Sequence, residues 1–122
     1  MLKDFDSAAI VGVSDLPRAR QFYETVLGLT VTKADEYVIE FKTGGTVLVV
    51  YKSDYAGTNR ANAVVWGVGD AIETIVADLK ARGAVFEHYP EMELRGDIHV
   101  AGDFKMVWHK DPDGNILHFN SM

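Results

Sequence analysis

The sequence predicts an α+β chain in which one βαβββ unit is used twice, and three observations carry that reading. Ala9-Ile10-Val11-Gly12-Val13-Ser14-Asp15 is echoed by Val64-Val65-Trp66-Gly67-Val68-Gly69-Asp70, with Gly12/Gly67, Val13/Val68 and Asp15/Asp70 in register. An amphipathic stretch follows each Asp and stops at a glycine, Gly28 and then Gly83, again in register. Each glycine leads into short runs of strand-forming residues separated by turn signals. Both copies therefore read as strand, N-cap, helix, C-cap and three further strands.

Taken in order, Met1 to Ser7 is polar and mixed, a lead-in or an added edge strand. Ala8 to Ser14 is apolar on both faces, as for a strand covered on two sides. Asp15 caps a helix with Pro17 in its first turn. Ala19, Phe22, Tyr23, Val26 and Leu27 form its buried stripe. Thr30 to Thr32 and Tyr37 to Thr43 read as strands, and Gly44-Gly45 predicts a type I′ hairpin. That turn pairs Thr43 with Thr46, which sets Phe41 opposite Leu48, Ile39 opposite Val50, Glu40 opposite Val49 and Val38 opposite Tyr51.

In the second copy, Ala63 to Val68 is the strand. Asp70 and Glu73 have capping-box spacing, and Ile72, Ile75, Val76 and Leu79 form the apolar stripe. Ala84 to His88 is a short strand, and Tyr89 to Gly102 holds most of the extra length of this half. Phe104 to Lys110 and Ile116 to Asn120 flank the Asp111-Pro112-Asp113-Gly114 turn, so that Trp108 pairs with His118 and Met106 with Asn120.

A length of 122 residues with 48% hydrophobic content predicts a single domain. Its modules span about 1–52 and 63–122, joined by a Ser-, Asn- and Gly-rich connection over 53–62. The absence of cysteine excludes disulfides, thiolate ligands and a cysteine nucleophile. Neither an apolar leader nor a bilayer-length run is present, so a cytoplasmic protein with no membrane partner is expected. A net charge of −6, without a basic run, argues against nucleic acid as a partner.

VSDLPRARQFYETVLGL (Val13 to Leu29) and KDPDGNILHF (Lys110 to Phe119), with the paired modules, resemble the vicinal oxygen chelate superfamily. That superfamily groups glyoxalase I, extradiol dioxygenases, fosfomycin-resistance enzymes and bleomycin-resistance proteins. The resemblance covers nearly the whole chain, and it implies curved mixed sheets around a central cavity. It also implies four metal-ligand positions, which fall here on Ala8, Val49, Ala63 and His118. Three of these side chains have no donor atom, so no metal and no other cofactor is expected unless Glu40 or His99 has moved into the role. His99 falls where the related dioxygenases have a histidine behind the ligands. The resemblance further implies a homodimer.

Strand parity assembles the candidate ligand-binding face. Ala8, Val49 and Ala63 leave volume where relatives hold metal; Tyr51, Met106, Trp108, His118 and Asn120 supply aromatic and hydrogen-bonding groups; Glu40 supplies a carboxylate. Ile10, Val38 and Val65 share this face, whereas Trp66 has the opposite parity and belongs under the helices. His118 and His99 are the candidate catalytic residues, weighed respectively against a histidine hydrogen-bonded at the cavity wall and a solvated loop histidine. The favoured reading is a metal-free protein that sequesters an aromatic or cationic small molecule between the modules. The alternative is a lyase, isomerase or dioxygenase with displaced metal ligands or with His118 as acid or base.

Overall fold

Two mixed sheets, each with one helix on a single face, make up the computed structural model, which describes residues 1–122. After a 3₁₀ turn at Leu2–Asp4, β1 (Ala9–Val13) runs into α1 (Leu16–Gln21), which widens into a π turn at Phe22–Val26. The strands β2 (Thr30–Ala34), β3 (Val38–Thr43) and β4 (Thr46–Lys52) complete a sheet of order β1-β4-β3-β2. The second half holds β5 (Asn62–Gly67), α2 (Ile72–Ala81), β6 (Phe86–Glu87), β7 (Glu93–Arg95), β8 (Ile98–Ala101), β9 (Phe104–Lys110) and β10 (Ile116–Asn120). Its sheet runs β5-β10-β9-β8-β7, with β6 also pairing β9. β1 packs beside β5, so the sheets meet along that seam and stay open instead of closing into a barrel. No helix is long and apolar enough to cross a membrane.

Local chemistry sets these elements. The Asp15 carboxylate accepts the Arg18 N–H at 3.0 Å and starts α1, with Pro17 in the first turn. The β3–β4 register is the expected one at all five pairs named above. Its turn differs, because Gly44 alone has positive φ (+55°), the pattern of a type II′ hairpin. The Asp70–Glu73 capping box does not form: Gly69–Ala71 is a 3₁₀ turn, Ala71 stands at the N-cap, and the Glu73 carboxylate is drawn to Lys105 instead. The extra length of the second half contains the β7–β8 hairpin, which the sequence reading left unassigned.

The helices cover one face of each sheet. Beneath them lies a core that joins Val11, Tyr23, Phe41, Leu48 and Val50 to Val64, Ile72, Leu79, Val107 and Leu117. Phe22, Val26 and Ile75 are only half-buried, at the margin of that core. Trp66 lies on this helix side as expected, stacked on Phe119 with ring centroids 5.0 Å apart and donating its indole N–H to Thr43 Oγ1.

The Asp111 to Asn115 turn latches the two halves together. Buried Asp111 accepts four hydrogen bonds, from the Tyr23 hydroxyl (2.8 Å), Asn115 Nδ2 and the backbone N–H groups of Asp113 and Asn115. Asn115 Nδ2 also donates to the Gly12 carbonyl, while Asp113 accepts from Ser14 and Arg18. The 53–61 connection is fixed on the same turn, because Gly57 (φ +71°) lies against the Asp113 carbonyl with no room for a side chain.

Burial, and then the charge of Asp111, push the Tyr23 hydroxyl far above the ordinary tyrosine range. A raised pKa stabilises the fold fully below the unfolded value near 10, and that contribution is lost as pH rises beyond it. Urea titrations should therefore show stability falling by about 1.4 kcal/mol per pH unit above about pH 10. Tyr23→Phe should remove that component, and equal slopes in the two proteins would contradict the assignment.

Candidate functional site on the helix-free face

Alternation along the strands leaves one face of both sheets without a helix, and it is here that large apolar side chains meet solvent. Ile10 is 61% exposed and Val65 52%, although their strand neighbours Val11 and Val64 are buried. Ile10 pairs with Val49, Val49 with Glu40, Tyr51 with Val38, and Val65 with His118, so these residues share the face as parity requires. Soluble chains seldom expose such side chains side by side without a use for them.

The face divides into three parts. At the β3–β4 hairpin end, Ala8 lines a cleft of about 620 Å3 with Thr32, Lys42, Val47 and the two hairpin glycines. A groove of about 370 Å3 cuts into the seam, lined by Val47 and Val65 of this face and by Ala9, Leu48 and Trp66 of the helix side. The third part is an aromatic cluster on the second sheet. Trp108 stacks on His118 with centroids 4.6 Å apart and planes 24° apart, and its N–H donates to Asn62 Oδ1 at 3.1 Å. The indole thus spans from β9 across β10 to the start of β5. Tyr89 and His99 meet the same indole edge-on at 5.2 and 5.4 Å.

Hydrogen bonding fixes the state of His118. Asn120 Oδ1 accepts the Met122 N–H, so its Nδ2 is the donor to His118 Nε2, at 3.2 Å. His118 Nδ1–H then donates to the Val107 carbonyl at 3.1 Å. Both ring nitrogens are engaged by a neutral imidazole, and burial lowers its pKa further, against the Val107 bond that raises it. Stability from this group is complete above the ordinary histidine value and declines as pH falls below it.

His118, Trp108, Asn120 and Met106 come together as the sequence pairing predicts. Glu40, Val49 and Tyr51 belong to the other sheet, and β4, β1, β5 and β10 lie between Glu40 and Trp108. Ala63 leaves the expected set: the β5–β10 register shifts at this residue, and Ala63 packs against the core while Asn62 reaches the face. His99 is not a solvated loop residue but a fully buried one on β8. Asn62 and the His88–Asp97 pair (2.8 Å, with Lys80 also on Asp97) were not singled out from sequence. The hydrogen bonds from His88 and then Lys80 hold the Asp97 carboxyl below its ordinary range.

Residues 5–119 match the family model described as the Glyoxalase/Bleomycin resistance protein/Dioxygenase superfamily. The chain belongs to this superfamily. Solved structures with the same fold include a glyoxalase family protein from Enterococcus faecalis, with TM-score 0.75 and 19% identity over 98% of this chain and 99% of that one. Another is a glyoxalase/bleomycin resistance protein/dioxygenase from Alicyclobacillus acidocaldarius, with TM-score 0.74 and 21% identity over 96% and 90%. A third is a lactoylglutathione lyase from Agrobacterium tumefaciens, with TM-score 0.71 and 18% identity over 95% and 92%. No curated protein matches the sequence.

The donor set decides how a superfamily metal would fit. Ala8, Val49 and Ala63 present only hydrocarbon, and the two nitrogens of His118 are committed to Val107 and Asn120. Nowhere do three or more His, Asp or Glu side chains converge. A divalent ion, which wants three or more protein donors, does not fit the residues at this position.

Proposed function

We propose that this superfamily member is a metal-free binding protein that sequesters a planar, positively charged small molecule on its helix-free face. The observation that carries this reading is the pairing of exposed apolar residues with a committed His118. The face offers Ile10, Tyr51, Val65 and Trp108 for contact, while its one buried histidine on the central strand is held neutral by Val107 and Asn120. Aromatic surface of this kind binds flat ligands by stacking, and the net charge of −6 favours a cation among them. In this reading the protein works as a homodimer in the cytoplasm, its second copy narrowing the open face around the ligand.

N-methylacridinium is a suitable probe, followed through the Trp108 indole N–H in 15N–1H spectra. Wild type should bind it, and Trp108→Ala should weaken binding by about 1–3 kcal/mol, the cost of losing an aromatic anchor. Glu40→Gln, four strands removed from Trp108, should change affinity by less than about two-fold, and only at low salt. Trp66→Ala, on the opposite face, should lower stability and leave affinity unchanged. Absence of binding, or equal affinity in Trp108→Ala, would end the proposal.

A further inference from the structure

We propose that Tyr89 occupies and closes an aromatic subsite floored by Trp108 and His99, and that this subsite takes a planar aromatic ligand bearing a hydrogen-bond acceptor. The inference rests on the binding reading above and adds where the ligand's polar edge goes and what stands in its place.

The starting observation is an unpaired donor. His99 is 0% exposed and pairs with Met106, which puts it on the helix-free face. Its Nε2 accepts the Tyr89 backbone N–H at 2.9 Å, so in the neutral ring the proton sits on Nδ1. That Nδ1–H is buried and has no partner. An orphaned buried donor costs a fold more than a hydrogen bond returns, and a native structure keeps one where something else satisfies it. By contrast, His118, buried on the same face, has both nitrogens satisfied.

The second observation is what stands beside this histidine. The Tyr89 ring lies 5.7 Å from His99 and meets Trp108 edge-on at 5.2 Å, filling the corner between the two rings. Tyr89 belongs to a strap between β6 and β7, a four-residue turn closed by the Met92 N–H on the Tyr89 carbonyl, with Pro90 in its second position. The Tyr89 N–H to His99 Nε2 bond ties the strap to the floor, and His88 before it is anchored on Asp97 at 2.8 Å, so the Tyr89 turn swings about His88. Swinging it out frees His99 Nε2 and the indole edge at once. A bound heteroaromatic then replaces the Tyr89 ring by its own and gives His99 Nδ1–H the acceptor it lacks.

Quinoline and naphthalene test this directly, since they differ by one ring nitrogen. Affinities are read from the Trp108 indole N–H, with the Trp66 indole N–H on the other face as the unperturbed control. Tyr89→Ala should bind quinoline about ten-fold or more tighter than wild type and should prefer it over naphthalene about five-fold, as one hydrogen bond warrants. Adding His99→Phe should abolish that preference and leave naphthalene affinity in place. Pro90→Gly, which loosens the strap and keeps the ring, should also tighten quinoline binding.

Equal or weaker quinoline binding by both Tyr89→Ala and Pro90→Gly would overturn the closed subsite. If wild type still binds N-methylacridinium through Trp108, the function proposed above survives that result. If neither probe binds any of the proteins, both fall.

Discussion

Asp111→Ala is expected to lower stability by about 3–5 kcal/mol, the largest effect of any single polar substitution in this chain. The carboxylate is buried and accepts four hydrogen bonds, two of them from side chains that are themselves buried, Tyr23 and Asn115. Alanine removes both acceptor oxygens and leaves all four donors without a partner. Asp111→Asn keeps the volume and one carbonyl oxygen, so part of the loss should be recovered. Because Asn115 also reaches Gly12, the damage should spread to the β1–α1 corner and appear as early hydrogen exchange there. A loss below about 1 kcal/mol in urea titrations would mean that the turn is an ordinary loop.

Gly57→Ala is expected to cost about 2–4 kcal/mol, although the residue sits in the connection between modules. Two terms add. The backbone is left-handed at φ +71°, and a methyl group there would come within 1.9 Å of the Asp113 carbonyl oxygen. Gly44→Ala is the control, since its φ is +55° but the space around it is open, so only the conformational term of about 1 kcal/mol applies. Gly57 and Asp111 act on one turn, and the double variant should therefore lose less than the sum of the two. Equal stability of Gly57→Ala and Gly44→Ala would show that the connection is not seated on the turn.

These two residues also mark where the sequence was legible and where it was not. The repeat, the Asp15 cap and the β3–β4 and β9–β10 registers could be read because each rests on local rules: period-two alternation, a capping oxygen and a short turn. The connection over 53–62 looked merely polar, since nothing local reveals that Gly57 meets Asp113, a residue of the last turn. The Asp70–Glu73 spacing was misleading because a tertiary partner, Lys105, outcompeted the local cap. Ala63 was misplaced by a single register shift, which turns every residue before it to the other face. The β7–β8 hairpin escaped because its strands are only three and four residues long and the first, Glu93–Arg95, is mostly charged, with too little alternation to read.

Within the candidate site, parity along β9 and β10 brought Trp108, His118, Met106 and Asn120 together correctly. What it could not supply was the protonation chemistry. That His118 is committed on both sides depends on Met122 orienting Asn120, and that His99 carries an unpaired Nδ1–H depends on a backbone N–H ten residues away. Such long-range partners leave no spacing pattern in a single sequence.

The central claim is that binding here has replaced metal chemistry, and metal content of the protein purified without chelator tests it most directly. Elemental analysis for zinc, iron, manganese and nickel should find well under one equivalent per chain, and His118→Ala should leave that content unchanged. One equivalent of any of these metals, lost in His118→Ala, would contradict the account, because it would require Asn120 to release Nε2 and other donors to gather where Ala8, Val49 and Ala63 now stand.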